Sequence, residues 1–282
     1  MSERSIADWL RAGEARLSGC SESAALDAQL LLAKALGQPR AYLLTWPERR
    51  PGVAAAAHYE RLLQARAQGE PVAYLLGRQG FWSLELEVGP GVLVPRPETE
   101  LLVECALEAL GPGQEAAVLD LGTGSGAIIL ALAVERPRLR LTAVECSEPA
   151  WALARRNCEA LAPGRVELLR GSWFEPLAGR RFQLIVSNPP YIGEQEPELA
   201  ALAREPRGAL VAQEAGLADL RHIIERAPAH LAPGGWLMLE HGYAQGGAVR
   251  SLMTARGFLG VLTQRDLAGL ERVSLGRWPE SA

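Results

Sequence analysis

The chain has 282 residues, of which 48% are apolar, enough to bury the core of two domains or one large one. Its formal net charge is −4, which weighs against a broad basic groove for nucleic acid while leaving room for a local patch. Lys34 is the only lysine and no G-x-x-x-x-G-K-[ST] run occurs, which excludes a P-loop.

Residues 1–75 read as helices. Ile6, Leu10 and Leu17 recur at roughly helical spacing. Ser23 is placed to cap a second helix, Ala24 to Leu36, with Leu26, Leu30 and Leu31 on one face and Gly37 and Pro39 as stops. A third helix covers about 53–68 and ends at Gly69. This segment carries no catalytic constellation and reads as a small helical bundle suited to docking a substrate. The N-terminus lacks a basic-then-apolar leader and no apolar stretch is long enough to span a bilayer, so a soluble, cytoplasmic protein is expected.

Residues 76–96 read as a β-hairpin linker. Trp82, Leu84, Leu86 and Val88 alternate with polar residues, Gly89-Pro90-Gly91 supplies a turn, and Val92 to Val94 returns. A helix follows from about Glu98 to Leu110, with Pro97 suited to its first turn and Glu98 and Glu100 at its positive end.

From 97 to 282 the chain reads as one α/β domain. Strands are predicted near 117–121, 140–145, 165–169, 182–187, 235–240 and 271–275. Helices are predicted near 126–135, 148–160, 217–231 and 244–255. Such alternation makes a mainly parallel sheet with helices on both faces. Cys20, Cys105, Cys146 and Cys158 form no C-x-x-C pair and read as reduced, mostly buried thiols. The four histidines show no metal-ligand spacing, so no metal is expected.

Two motifs carry chemistry. The first is Gly122-Thr123-Gly124-Ser125-Gly126, between a strand and an apolar helix. Its glycines let backbone pass close to a ligand, and the helix start offers amide hydrogens to an anionic group. The loop also fits the dinucleotide pattern G-x-G-x-x-[GA], so alone it does not separate a nicotinamide cofactor from S-adenosylmethionine. Glu145 ends the next strand, where a carboxylate can accept from both hydroxyls of a ribose; it could equally serve the start of the following helix. Asp120 could orient the loop or a cofactor ammonium, or stabilise the turn. Trp173 could pack against an adenine or belong to the core.

The second motif, Asn188-Pro189-Pro190-Tyr191, follows the apolar run Phe182 to Val186. Two prolines fix the backbone and remove two donors, leaving carbonyl oxygens to accept. The Asn188 side chain adds another carbonyl, and Tyr191 offers a flat face for a planar group. Two acceptors at fixed separation match the two hydrogens of one NH₂ group. Together the motifs point to methyl transfer onto an amide or amino nitrogen, with Asn188, Pro189 and Tyr191 as the catalytic candidates.

Asp120-Leu-Gly-Thr-Gly-Ser-Gly126, Ser187-Asn-Pro-Pro-Tyr191 and Leu93-Val-Pro-Arg-Pro-Glu-Thr-Glu100 resemble the HemK-type protein-(glutamine-N5) methyltransferases. The likeness extends through Glu70-Pro71-Val-Ala-Tyr, Gly80-Phe-Trp-Ser83, Glu240-His-Gly242 and Glu271-Arg-Val-Ser-Leu-Gly-Arg277. The resemblance implies a class I, Rossmann-like methyltransferase sheet using S-adenosylmethionine. It also implies a class 1 peptide chain release factor as substrate, methylated on the glutamine of its Gly-Gly-Gln motif; the net acidity leads to the expectation of no direct nucleic-acid partner. Carried over by position, it implies cofactor contacts at Gly122 to Gly126, Glu145, Trp173 and Asn188, and a substrate glutamine held by Asn188 to Tyr191. A ribosomal-protein glutamine is the nearest alternative. An adenine-N6 DNA methyltransferase uses a similar element on a flipped base but needs a basic surface. A dead methyltransferase fold that only binds translation factors is the non-enzymatic alternative.

Overall fold

The structure is a computed structural model that describes residues 4–280; the outermost residues of the first and last segments expected above lie outside them. The chain divides into two compact units, 1–78 and 79–282. Among the described residues no helix is long and apolar enough to cross a membrane.

The first unit holds α1 (Ile6–Leu17), α2 (Ala24–Leu36), α3 (Arg40–Thr45), α4 (Val53–Ala67) and α5 (Val72–Leu76). Ser5 starts α1 in a reciprocal cap. Its Oγ accepts from Asp8 N at 3.2 Å, and Asp8 Oδ2 accepts from Ser5 N at 3.0 Å. Ile6, Leu17, Leu31, Leu32, Tyr59 and Leu63 close a core of their own. Gly13 admits the Tyr59 hydroxyl, which would lie 2.1 Å from a Cβ there.

Ser23 makes no side-chain cap; its hydroxyl goes to Asp27 Oδ1 at 3.0 Å. Asp27 is buried and needs the donors, including Arg66 Nε of α4 at 2.8 Å. Leu26 is exposed, because the buried face of α2 runs through Asp27, Ala28, Leu31 and Leu32. The short α3 and α5 lie outside the helices expected from sequence: at 6 and 5 residues they are too brief to show a period, although each starts directly after a proline.

The second unit begins within β1 (Arg78–Phe81), which pairs with β2 (Leu84–Glu87) in a hairpin turning at Trp82-Ser83, with Trp82 at φ 55°. The hairpin therefore lies earlier than the turn placed at Gly89-Pro90-Gly91. Val92 to Val94 is not a strand. Val92 and Val94 are buried, and Val94 N donates to the Glu205 carboxylate instead of a ladder.

The remaining elements are α6 (Glu100–Ala109), β3 (Ala117–Leu121), α7 (Ala127–Glu135), β4 (Arg140–Glu145), α8 (Glu148–Leu161), β5 (Val166–Arg170) and β6 (Phe182–Ser187). They are followed by the short α9 (Gln213–Gly216), α10 (Ala218–Arg226), β7 (Leu231–Glu240), α11 (Gly246–Arg256), β8 (Leu259–Arg265) and β9 (Glu271–Arg277). Seven strands form one sheet in the order β5-β4-β3-β6-β7-β9-β8. The first five are parallel, and β9 runs antiparallel to both β7 and β8. β8 carries no sequence signal because it is an edge strand whose side chains are mostly exposed. The helix expected over 217–231 stops at Arg226, and Pro228 continues it only as a tight turn. β7 begins before the Pro233-Gly234-Gly235 punctuation, and the register beside β6 shifts there.

Strand order reverses at β3, which has β4 on one side and β6 on the other. Open α/β sheets bind ligands in the crevice beyond the carboxyl ends of strands at such a point.

Candidate active site

The strand registers put three sequence motifs in one row. Leu121 pairs with Val144 on β4 and with Ser187 on β6. The next residue of each strand or its exit is Gly122, Glu145 and Asn188. All three line a cavity of about 270 Å³, together with Thr123, Gly124, Ser125, Pro189 and Pro190.

The glycine loop is held by backbone. Gly122 N and Thr123 N both donate to the Val144 carbonyl, at 2.9 and 3.1 Å. Gly124 has φ 59°, and a Cβ there would meet nothing closer than Val92 Cγ2 at 3.9 Å, so its missing side chain leaves room on the cavity side. Gly126, at φ 86°, serves packing: a Cβ would press on Leu130 Cδ1 at 3.2 Å. Glu145 is buried and bridges two backbones. Its Oε2 accepts from Gly124 N at 2.9 Å and its Oε1 from Ser147 N at 2.8 Å. A carboxylate has about four acceptor sites, so two remain for a vicinal diol. Glu145 thus serves the loop and the start of α8 while still facing the cavity.

Asp120 is fully buried and does not line the cavity. Its Oδ2 accepts from the Thr123 hydroxyl at 2.6 Å, which braces the turn. Burial pushes its carboxyl up to about 7, opposed by the Thr123 hydrogen bond and reinforced by the nearby Glu145 charge. Its Oδ1 is without a hydrogen bond among the described residues.

Asn188 is fixed from the amide end. Its Nδ2 donates to Thr99 Oγ1 at 3.2 Å, which leaves Oδ1 as the acceptor of that side chain. Pro189 and Pro190 have no amide hydrogen to offer. The Tyr191 carbonyl is taken by Gln245 Nε2 at 2.9 Å.

Two expected site residues do not line the cavity. Trp173, at φ 48°, packs against the core behind the glycine loop, where a Cβ on Gly122 would lie 3.5 Å from its ring. Tyr191 also packs on the core, with its hydroxyl toward the buried Glu240 carboxyl. Burial raises the Tyr191 phenol.

Sequence reasoning gave no individual role to Arg96, Thr99, Glu205 or Glu240, although Arg96, Thr99 and Glu240 lie in stretches that carried the family likeness. The only other signal was polarity in segments that turned out to be buried. Glu205 is buried. It accepts from Val94 N at 3.0 Å and pairs with Arg96 Nη2, and so ties the segment after Asn188-Pro-Pro-Tyr191 to the segment before α6. That later segment closes on itself where Ile192 bridges Val211, and its Pro206, Gly208 and Ala209 wall the cavity. Burial pushes Glu240 up to about 7, countered by hydrogen bonding from Thr99, the Arg272 charge and hydrogen bonding from Tyr191. His241 is buried between Ser274 Oγ and the Gly242 carbonyl, at 2.8 and 2.9 Å, a structural role. All four cysteines are free, but only Cys105 and Cys158 are buried; Cys20 and Cys146 are exposed. Among the described residues no cluster of His, Cys, Asp and Glu has metal-ligand geometry.

Comparisons with known proteins extend this picture. Residues 8–77 match the family model described as PrmC N-terminal domain, and residues 97–209 match that described as Methyltransferase small domain. The chain is 56% identical over 260 residues to a release factor glutamine methyltransferase of Pseudomonas aeruginosa, covering 92% of this chain and 94% of that one. It is 46% identical over 272 residues to the Escherichia coli protein of the same name, covering 96% and 98%. Among solved structures, a methyltransferase from Pyrococcus furiosus shares the fold, with a TM-score of 0.54 at 22% identity over 79% of this chain and 99% of that one. With high identity maintained along nearly the whole length of both chains, this protein belongs to the release factor glutamine methyltransferase family.

Proposed function

We propose that the chain transfers a methyl group from S-adenosylmethionine to the side-chain amide nitrogen of the glutamine in the Gly-Gly-Gln motif of class 1 peptide chain release factors. Family membership supports the reaction and the cofactor. The observation that carries the assignment to this site is the shared row of Gly122, Glu145 and Asn188 at the reversal of strand order. A release factor is a cytoplasmic partner, in keeping with the expected location.

The residues present suit an adenosyl cofactor. Glu145 holds the loop while keeping acceptor sites for ribose hydroxyls, and Gly124 leaves the space a side chain would fill. The bound cofactor supplies an activated methyl on a sulfonium. What remains for the protein is to make a poor nucleophile react. An amide lone pair is delocalised into its carbonyl. Asn188 Oδ1 and the Pro189 carbonyl, placed as acceptors for the two amide hydrogens, favour a pyramidal nitrogen whose lone pair is localised. Alignment of that nitrogen supplies most of the rest, up to about 7–11 kcal/mol in favourable cases. Tyr191 acts from behind, bracing the loop through its carbonyl, and Trp173 supports the back of the glycine loop. The 1–78 unit, which carries no catalytic grouping, is assigned to docking the protein substrate.

Incubation with labelled cofactor and purified release factor tests the reading. Label on the Gly-Gly-Gln glutamine is expected; label on a ribosomal protein or on DNA adenine instead would reject the substrate assignment.

A further inference from the structure

The Asn188 side chain has two ends that differ by only one heavy atom, and catalysis as proposed needs the oxygen end toward the substrate. An amide free to flip would present its NH₂ to the substrate's NH₂ half of the time, donor against donor. Something must choose the orientation. Thr99 is buried, lines the same cavity and receives Asn188 Nδ2 at 3.2 Å. A hydroxyl that accepts from one neighbour still has its own hydrogen to donate. The buried Glu240 carboxyl, at the end of β7, lies near enough to the Thr99 and Tyr191 side chains for both to oppose its upward shift.

We infer that Thr99 is a positioning residue whose buried hydroxyl accepts from Asn188 Nδ2 and so holds the Asn188 carbonyl toward the substrate amide. Nearby Glu240 favours that polarity in its carboxylate form, which has no hydrogen to give. Its Oε2 is without a hydrogen bond among the described residues, so a proton taken up there leaves the other oxygen able to accept.

The inference rests on the reading of Asn188 as the amide acceptor, and the experiment separates the two. Steady-state kinetics are measured on the full chain with release factor and S-adenosylmethionine for Thr99→Val, Thr99→Ser and Asn188→Ala, with cofactor Kd by calorimetry as the check on folding. Thr99→Val keeps the shape and removes the hydroxyl; its kcat should fall about 30-fold or more, the scale of a misaligned reacting group, while both KM and cofactor Kd stay within about threefold. Thr99→Ser keeps the hydroxyl and should restore kcat to within about threefold. If Thr99→Val does not bind cofactor, Thr99→Ala is read in its place. Near-normal kcat in Thr99→Val alongside a large loss in Asn188→Ala would overturn the positioning role and leave the function standing. Equal losses in Thr99→Val and Thr99→Ser would also overturn it, since packing and not the hydroxyl would then matter. Normal kcat in all three would overturn the acceptor reading itself.

Discussion

Gly124 N donates to Glu145 Oε2 at 2.9 Å, so the loop leaving β3 is tied to the last residue of β4 by the carboxylate that also faces the cavity. Loop shape and cofactor recognition therefore depend on one side chain. Glu145→Gln keeps the size but offers a single oxygen, which must choose between the loop amides and a ribose. Affinity for S-adenosylmethionine should fall about 10- to 100-fold, the scale of one charged hydrogen bond. Calorimetry on the purified variant reads this directly; an unchanged Kd would remove Glu145 from the cofactor site.

Gly124→Val places a branched side chain on a residue at φ 59°, where such side chains are strained, and directs it into the space beside Val92. Cofactor binding should be lost to detection while the helical unit keeps its far-ultraviolet signal. Measurable binding near the wild-type Kd would show that the loop backbone does not approach the cofactor.

Asn188→Ala removes the side-chain acceptor and leaves the two prolines. The rate with release factor should fall about 100- to 1,000-fold, as when one preorganised polar contact to a reacting group is deleted, with cofactor affinity changed far less. Single-turnover kinetics separate chemistry from product release. A rate within a factor of about three of wild type is incompatible with the acceptor role.

Glu205 joins Val94 N and Arg96 across a long stretch of sequence. Glu205→Gln leaves Arg96 without its counter-charge and loosens the wall formed by Pro206, Gly208 and Ala209. Stability should drop by about 1–3 kcal/mol, the range for a hydrogen-bonded charged pair that is partly exposed on the arginine side. KM for the release factor should rise more than kcat falls. Denaturant unfolding and steady-state kinetics together check both parts.

Burial holds the Glu240 carboxyl near 7, above the 4.5 of an exposed glutamate. The folded protein thus keeps this proton to higher pH than the unfolded chain does. The stabilisation it provides is complete below about pH 4.5 and is lost as pH rises through about 7. Asp120 has the same sign, whereas the lowered His230 and His241 act oppositely, losing stability as pH falls. Comparison with Glu240→Gln cancels all three. Between about pH 5 and about pH 8 the wild type should lose roughly 2–3 kcal/mol more unfolding free energy than the variant. Parallel profiles would contradict the buried acid.

The sheet and most of its crossover helices were legible because buried parallel strands are short continuous apolar runs, as in Val118-Leu119 and Leu184-Ile185-Val186, each ended by a polar or glycine signal. β8 was not, since an edge strand needs no apolar face. The hairpin was displaced because Trp82 turns the chain at a positive φ that its sequence does not advertise. Within the site, the glycine loop, Glu145 and Asn188 could be found from order along the chain. Thr99, Glu205 and Glu240 could not be assigned roles, because what makes them matter is burial against residues far away in sequence.

The most direct test of the central claim is peptide mass spectrometry of purified class 1 release factor after incubation with this protein and S-adenosylmethionine. One methyl group on the side-chain amide of the Gly-Gly-Gln glutamine, present with the wild type and lost with Asn188→Ala, is the predicted result. An unmodified glutamine with the wild type, or equal modification by the variant, would contradict it.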